Sequence, residues 1–370
     1  MLIAFVSPSG WTVYNFRLDI IRALQNDGHE ILVVAGRDAF AGKLEAAGCR
    51  FIGLPFNNRS LSPAGDWQLY RRLKAIYRRE RPALIFHYAI KANIWGSLAA
   101  DRTGIPGIAV VTGLGYPFSR RNIIYYIAKA GYALACRRAR RVWFLNQADA
   151  GLFRSLQLAE ESKIQVLPGE GINTGYFSRS IPYEGRHEPF RFILCSRLLK
   201  SKGIALYAQA IAALRQKGYA VEGWLLGLPD AGHPDELSMA EIDRWQGEGA
   251  ICYQGAADDV RSWLEQADAY AFTSQYNEGL PRSLMEAASM ELPVLAPDLR
   301  GCRDLVKDGE TGFVFRAHDP QQLLEKMEAM LRLPADQRRA MGAAGRAFMQ
   351  AQFETSRVIS IYRDTVAALL

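Results

Sequence analysis

The sequence predicts an α/β protein made of two Rossmann-like domains, each with a parallel sheet covered on both faces. Three observations carry this reading. Short apolar runs alternate with helical patterns through the first half of the chain. A polar stretch with two prolines and no period, FSRSIPYEGRHEPF from Phe177 to Phe190, breaks that alternation. The alternation then restarts. At 370 residues the chain is long enough for two separate cores.

In the first half, LIAFVS, ILVVAG, FIGLPF, ALIFH, GIAVVTG and RVWFLN read as strands. FRLDIIRALQNDG is a helix with Phe16, Ile20, Ile21 and Leu24 at helical spacing and Gly28 as its stop. AGKLEAAG is a short helix, DWQLYRRLKAIYRRERP an amphipathic one ended by Pro82, and another runs through NIWGSLAADRTG. In the second half RFILCS, VEGWLLG, ICYQG, AYAFTS, PVLAP and GFVF are strands, and helices run from GIALYAQAIAALRQKG to RSLMEAASM. Two further helices follow near the end. The expected boundaries are a first domain over 1–178, a linker over 179–190, a second domain over 191–350 and a helix over 351–370 that packs back on the first domain. Two such halves leave a cleft at the carboxyl ends of both sheets, where open α/β sheets bind ligands.

Composition narrows the function classes. Hydrophobic residues make up 49% and charged residues 22%, ordinary for a globular protein. The five cysteines are scattered singly with no CxxC, which argues against a disulfide framework or structural zinc and fits a reducing cytoplasm. No apolar run reaches the roughly 18 residues that span a membrane. MLIAFVSPSG lacks a basic n-region and reads as a buried strand, not a signal peptide. Residues 1–180 hold 24 Lys+Arg and 12 Asp+Glu, net +12; the rest hold 45 − 24 = 21 and 38 − 12 = 26, net −5. A basic first half suggests an anionic partner: a membrane surface, a phosphorylated acceptor or nucleic acid. No RNA-binding signature is present, so nucleic acid is disfavoured. SRRNIIYYIAKAGYALACRRARR (Ser119–Arg141) has an apolar middle broken only by Lys129 and flanked by Arg120, Arg121, Arg137, Arg138, Arg140 and Arg141. That suits either an interfacial helix on anionic lipid or a core helix with basic ends. YRRLKAIYRRER adds a second basic face.

Four loops follow strands. SPSGW places Gly10 where backbone N–H groups can approach an anion, although a plain strand–loop–helix turn looks the same. GxGxxG is absent, so nicotinamide binding scores poorly. CSRLLKSKG sets Arg197 and Lys202 after a strand and before a helix, a placement that suits a diphosphate. QYNEGLP leads into a helix with Pro281 at its start, and Glu278 and Glu286 lie eight residues apart, just over two turns. Paired carboxylates accepting from hydroxyls are what sugar and ribose recognition needs. DGETG reads as a structural turn. Asp258-Asp259 precedes a helix and reads as its cap, not a metal motif.

SRLLKSKG, NEGLPRSLMEA, ELPVLAPDLRGCRDLV and DGETGFVF occur in order at matching spacing. Together they resemble the retaining family 4 glycosyltransferases of GT-B architecture, over essentially the whole chain. YNFRLDIIRAL, KANIWGSLAA and VVTGLGY resemble the bacterial branch that builds polyprenyl-diphosphate-linked glycans, which includes N-acetylgalactosaminyl-type transferases. The resemblance implies an acceptor-binding first domain, a nucleotide-sugar-binding second domain, and no cofactor beyond a nucleotide-sugar substrate, UDP-linked in this branch. It implies a lipid-linked or oligosaccharide acceptor in surface polysaccharide assembly, metal independence, and attachment to the inner face of the cytoplasmic membrane. Carried over residue by residue, Arg197 and Lys202 grip the donor diphosphate, Glu286 binds the ribose and Glu278 the donor sugar. Gly279 and Leu280 offer N–H groups, and Gly10 lies beside the phosphate. Glu278, Arg197 and Lys202 are the expected catalytic set. Many members carry a histidine before the glycine of VVTGLG; here Thr112 stands there, and His87 is offset, so a histidine role does not carry over. Lys91, Asn93 and Thr112 are the acceptor-side candidates. A GT-B-type UDP-sugar epimerase is the alternative.

Overall fold

The structure, a computed structural model, describes all residues except 57–61, 119–120, 184–186, 231 and 258. It divides into two compact units, Met1–Gly171 with Thr355–Leu370, and Ile172–Glu354.

The first unit runs β1 (Leu2–Ser9), α1 (Gly10–Asn26), β2 (Glu30–Gly36), α2 (Ala41–Ala46), β3 (Arg50–Gly53), α3 (Pro63–Glu80) and β4 (Leu84–Tyr88). A π-helical turn over Ala92–Gly96 leads into α4 (Ser97–Asp101), then β5 (Gly107–Val111), α5 (Ile123–Arg138), β6 (Arg141–Phe144), α6 (Gln147–Ser155) and β7 (Ile164–Val166). Its sheet has the order β3-β2-β1-β4-β5-β6-β7, and every pairing is parallel. Ile3–Val6 and Ile31–Ala35 are buried without a polar residue between them, as strands covered on both faces require.

The second unit runs β8 (Phe190–Cys195), α7 (Ile204–Gln216), β9 (Val221–Leu226), α8 (Met239–Gly247), β10 (Cys252–Tyr253), α9 (Arg261–Glu265) and β11 (Ala269–Ala271). Then come α10 (Arg282–Ser289), β12 (Val294–Pro297), β13 (Gly312–Phe315), α11 (Pro320–Arg332) and α12 (Ala335–Phe353). Its sheet, β10-β9-β8-β11-β12-β13, is parallel as well. The last helix, α13 (Thr355–Leu369), belongs to the first unit. Val358, Tyr362 and Val366 enter the first core, where the Tyr362 ring lies 4.7 Å from that of Phe86 and its hydroxyl 2.7 Å from that of Tyr88.

Two expectations change. The break falls at Gly171/Ile172, not within 179–190. The residues just after it are fastened to the second unit. Ile172 and Phe177 lie in its core. Arg346 donates to the carbonyls of Thr174 (3.0 Å) and Phe177 (2.9 Å), and the Tyr183 hydroxyl donates to Asp268 O (2.6 Å). The SPSGW segment is not an open loop, because β1 continues through Ser9 and α1 begins at Gly10. No helix among the described residues is long and apolar enough to cross a membrane.

Just before the break, Glu170 is tied to the first unit by Arg17, which is 2% exposed. The guanidinium stacks 3.8 Å from the Tyr88 ring and donates to Thr12 O at 2.8 Å. A buried cation that loses its anion is left uncompensated, so Glu170→Ala is expected to lower stability by about 3 kcal/mol. Arg17→Met/Glu170→Leu removes both charges and should recover most of the loss. Urea midpoints of the three proteins check this; equal loss in both variants would exclude the charge argument.

Candidate active site

The strand order of the second sheet reverses between β8 and β11, since β8 is followed in space by β9 on one side and β11 on the other. Ligands of open parallel sheets bind at such a point, beyond the carboxyl ends of the strands. The loop after β8 carries Arg197 and Lys202, and the loop after β11 carries Glu278. The predicted cation and carboxylate therefore come from the two strands that flank the reversal.

Backbone contacts fix these loops against each other. The Thr273 hydroxyl donates to Lys202 O at 3.0 Å, and Gln275 N–H to Ser201 O at 2.7 Å. Gly203 makes the approach possible. Its φ of 71° is left-handed, and a Cβ there would lie 1.9 Å from Thr273 O. Lys202, 8% exposed, places its Nζ 2.7 Å from Glu278 Oε1 and 5.2 Å from the centre of the Tyr276 ring. Burial alone would lower the ammonium pKa. The Glu278 charge and the Tyr276 side chain outweigh it and hold the group above the usual lysine range. The loop from Leu299 closes over the same place: Arg300 N–H donates to Asn277 Oδ1 at 3.2 Å, and a Cβ on Gly301 (φ 79°) would lie 1.7 Å from Gly279 O. The N–H groups of Gly279 and Leu280 find no acceptor among the described residues.

Glu286 lies on α10, half-buried. Burial pushes its carboxyl above the usual carboxylate range, and Arg282, one turn earlier and 3.0 Å away, pulls it back. Arg197 is exposed and pairs with Asp230 at 2.7 Å. In this state the expected donor-site groups each have an opposite charge: Lys202 with Glu278, Glu286 with Arg282, Arg197 with Asp230. The sequence reading missed Tyr276, Arg282 and Asp230. The i,i+4 spacing of Arg282 and Glu286 was a readable signal; the Arg197–Asp230 pairing spans 33 positions and leaves none.

The candidates in the first unit are placed differently. At Gly10 the first-turn amides are already bonded, Trp11 N–H to Asp38 Oδ2 at 2.9 Å and Thr12 N–H to Ser9 Oγ at 3.3 Å. A carboxylate thus stands where an anion was expected. Asn93 is fully buried and donates to Val110 O at 3.0 Å, so it offers no surface to an acceptor. Lys91 is mostly buried and paired with Asp66 at 2.5 Å. Thr112 follows β5 and is partly exposed. His87 is fully buried, 3.0 Å from the Tyr77 hydroxyl, and burial pushes its pKa down to about 3. It is a neutral packing residue: a Cβ on Gly96 would meet its ring at 2.2 Å. Asp259 accepts from Arg261 N–H at 3.0 Å at the start of α9, while Asp258 lies outside the described residues. No group of three or more His, Cys, Asp or Glu among the described residues is placed to hold a metal ion.

A family model described as glycosyl transferases group 1 matches residues 189–332, and one described as a glycosyl transferase 4-like domain matches residues 14–170. The chain is a glycosyltransferase, with one of these models matching each half, and its two parallel-sheet units have the GT-B fold. Among curated relatives, it is 28% identical to the N,N'-diacetylbacillosaminyl-diphospho-undecaprenol alpha-1,3-N-acetylgalactosaminyltransferase of Campylobacter jejuni, across 90% of this chain and 89% of that one. It is 22% identical to the UDP-Gal:alpha-D-GlcNAc-diphosphoundecaprenol alpha-1,3-galactosyltransferase of Escherichia coli, across 73% and 72%. Among solved structures, Anabaena HepE in complex with UDP-glucose matches with a TM-score of 0.83 at 20% identity over 100% of both chains. The two curated relatives are named as transferases, and the epimerase alternative gains nothing from them.

The geometry at Gly203 has a built-in control. Gly218 has a similar φ of 85° with nothing within 4 Å of its Cβ position. Gly218→Ala is expected to lose only the left-handed conformational term, about 1 kcal/mol. Gly203→Ala should lose several times more and also displace Lys202. Thermal unfolding of both variants checks this, and equal losses would show that the Thr273 approach is not limiting.

Proposed function

We propose that this glycosyltransferase is a retaining enzyme that moves a hexose or N-acetylhexosamine from a UDP-sugar to a polyprenyl-diphosphate-linked glycan during bacterial surface polysaccharide assembly. The observation that carries the donor reading is the pair of buried Lys202 with part-buried Glu278, beside the amides of Gly279 and Leu280, which have no acceptor among the described residues. A sugar diphosphate needs a cation for the phosphate and an acceptor for the sugar hydroxyls in one site. Here they are 2.7 Å apart. The names of the Campylobacter and Escherichia coli relatives support the acceptor class, and both specify alpha linkages, as retention from an alpha-linked donor would give.

In the proposed reaction the bond from the anomeric carbon to the diphosphate oxygen breaks as the bond to the acceptor oxygen forms on the same face. The acceptor hydroxyl proton passes to the leaving diphosphate, and no covalent enzyme intermediate forms. Negative charge grows on the leaving oxygens, so preorganised donors there supply the largest stabilisation. Lys202 and Arg197 exchange Glu278 and Asp230 for the phosphates. Glu278 then faces the sugar hydroxyls, and Glu286 accepts from the ribose hydroxyls. The enzyme works at the inner face of the cytoplasmic membrane, where its acceptor is anchored. The basic first half of the chain supports that placement. Thermal unfolding with a panel of UDP-sugars tests the donor class, and no stabilisation by any of them would overturn it.

Lys202→Ala is expected to lower kcat about 100-fold, the loss of one oxyanion-type donor. Release of UDP in the presence of acceptor measures it; near-wild-type turnover removes Lys202 from the phosphate site. A second expectation concerns pH. Glu286 must be ionised to accept from ribose, and Arg282 opposes the upward push of burial. Arg282→Met therefore raises the Glu286 pKa further. UDP affinity should fall off at a higher pH than in the wild type as the solution is acidified, and Glu286→Gln should lose this acid limb. Calorimetric titrations across pH decide it, and an unshifted limb in Arg282→Met rules out the role.

A further inference from the structure

Helix α5 is apolar on two opposite faces. Tyr125, Ala128, Tyr132, Ala135 and Cys136 are buried on one. On the other, Ile123 is 69%, Ile127 54% and Leu134 46% exposed, with Ala130 exposed between them. These four are spaced by four, three and four residues and form one stripe. A helix with apolar residues on both sides is covered on both sides in its working state, and a contiguous exposed apolar stripe marks a contact surface. The helix contains no acidic residue.

The same stripe continues, three and four residues on, into Arg137 and Arg138. There a cavity of about 400 Å³ opens between the end of α5 and the turn before β5. Arg137, Arg138, Arg140 and Lys163 line it, with Asp101 as its acid. Arg138 pairs with Asp101 at 3.5 Å. Lys163 lies 3.4 Å from Glu160 and donates to Arg137 O at 2.9 Å. The side chains of Arg137 and Arg140 have no ion-pair or hydrogen-bond partner among the described residues. Helix-dipole compensation accounts for cations in the last turn of α5. It does not account for Arg140 beyond the helix and Lys163 from another element turning toward the same cavity. Gly107, at the first residue of β5, lines the cavity, so it lies at the amino ends of the strands, the opposite end from the ligand side of the sheet.

We infer that this cavity binds the phosphate head group of an anionic phospholipid while the Ile123–Ile127–Ala130–Leu134 stripe enters the adjoining acyl region. Charge selects the occupant: a cationic pocket contiguous with an apolar stripe matches the boundary between lipid phosphates and acyl chains. The inference rests on the membrane placement proposed above and adds the surface and the ligand to it. Arg120, expected at the other end of the segment, lies outside the described residues, and Arg121 is exposed there.

The test is flotation of the full chain with vesicles of phosphatidylglycerol in phosphatidylethanolamine, and with phosphatidylethanolamine vesicles alone. Wild-type protein should bind the anionic vesicles, and Arg137→Gln/Arg140→Gln should bind about 30-fold more weakly. Arg71→Gln/Arg78→Gln, which removes the same charge from exposed positions of α3, should bind several-fold better than that variant. Ile127→Glu/Leu134→Glu should abolish binding at every lipid ratio. Circular dichroism and UDP affinity should remain at wild-type values in all three. Equal loss from the α3 and α5 charge variants would overturn the pocket in favour of diffuse attraction. A wild-type protein that ignores anionic lipid would overturn the membrane placement itself, while leaving the transferase reading intact. If the stripe variant instead converts a dimer to a monomer in sedimentation without altering vesicle binding, the stripe is covered by a second copy and the inference fails.

Discussion

An ammonium group with less than a tenth of its surface exposed stays charged only when an anion is held against it. Lys202 meets that condition through Glu278, and the loops of the second unit are arranged so that it can. The left-handed Gly203 brings the Lys202 backbone onto Thr273, and Gly301 brings the Leu299 loop onto Gly279. Larger residues at either glycine would separate the strand ends that carry the pair. The strand reversal between β8 and β11 supplies the place; these close backbone approaches supply the distance. In the proposed donor complex the pair is a preformed dipole whose partners are exchanged for those of a ligand of the right charge pattern, with little reorganisation of the loops.

The same logic explains why the two ends of the proposed donor site differ. Arg197 is exposed and its bond to Asp230 is screened by solvent, so exchanging Asp230 for a phosphate is nearly neutral in cost. Glu286 is half-buried, and its carboxylate is raised by burial while Arg282 opposes the shift. In the proposed complex, a ribose diol donating to it would replace lost water and favour the ionised form. The two glutamates of NEGLPRSLMEA thus live in different electrostatic surroundings, one against a buried lysine and one against a half-exposed arginine on its own helix.

Much of this was legible in the sequence for a definite reason. Strands buried on both faces are continuous apolar runs, so Ile3–Val6, Ile31–Ala35 and Phe192–Leu194 announce themselves. Lys202, Glu278 and Glu286 were legible because strand ends and helix starts confine them. The domain break was not. Residues 172–183 are aperiodic, yet Arg346 donates to the carbonyls of Thr174 and Phe177, and Arg179 within the segment donates to Met290 O; pairings across such long stretches of chain leave no local pattern. Gly10 failed for a related reason: Asp38, 27 positions away from Trp11, fills the anion position. Asn93 was misplaced because a polar residue after a strand end reads as surface, whereas here it satisfies Val110 O inside the core.

These surroundings also bear on where the acceptor proton goes. A general base needs a titratable group near neutrality that can reach the acceptor oxygen. His87 is sealed in the first core as a neutral imidazole, and Thr112 at the histidine position of related sequences has no basic nitrogen. Glu278 is committed to Lys202 and, in the proposed reaction, to sugar hydroxyls; Glu286 is held by Arg282. With these groups engaged, the departing diphosphate oxygen is the base that the proposed same-face geometry places beside the incoming hydroxyl. Lys202 then has to balance two demands. It must stabilise the leaving oxygen strongly enough to break the glycosidic bond, yet leave it basic enough to take the proton. In the proposed reaction Lys202 gives up its bond to Glu278 for the phosphate, yet the carboxylate stays on the adjoining loop and tempers the lysine's field, which meets that balance better than a bare cation would.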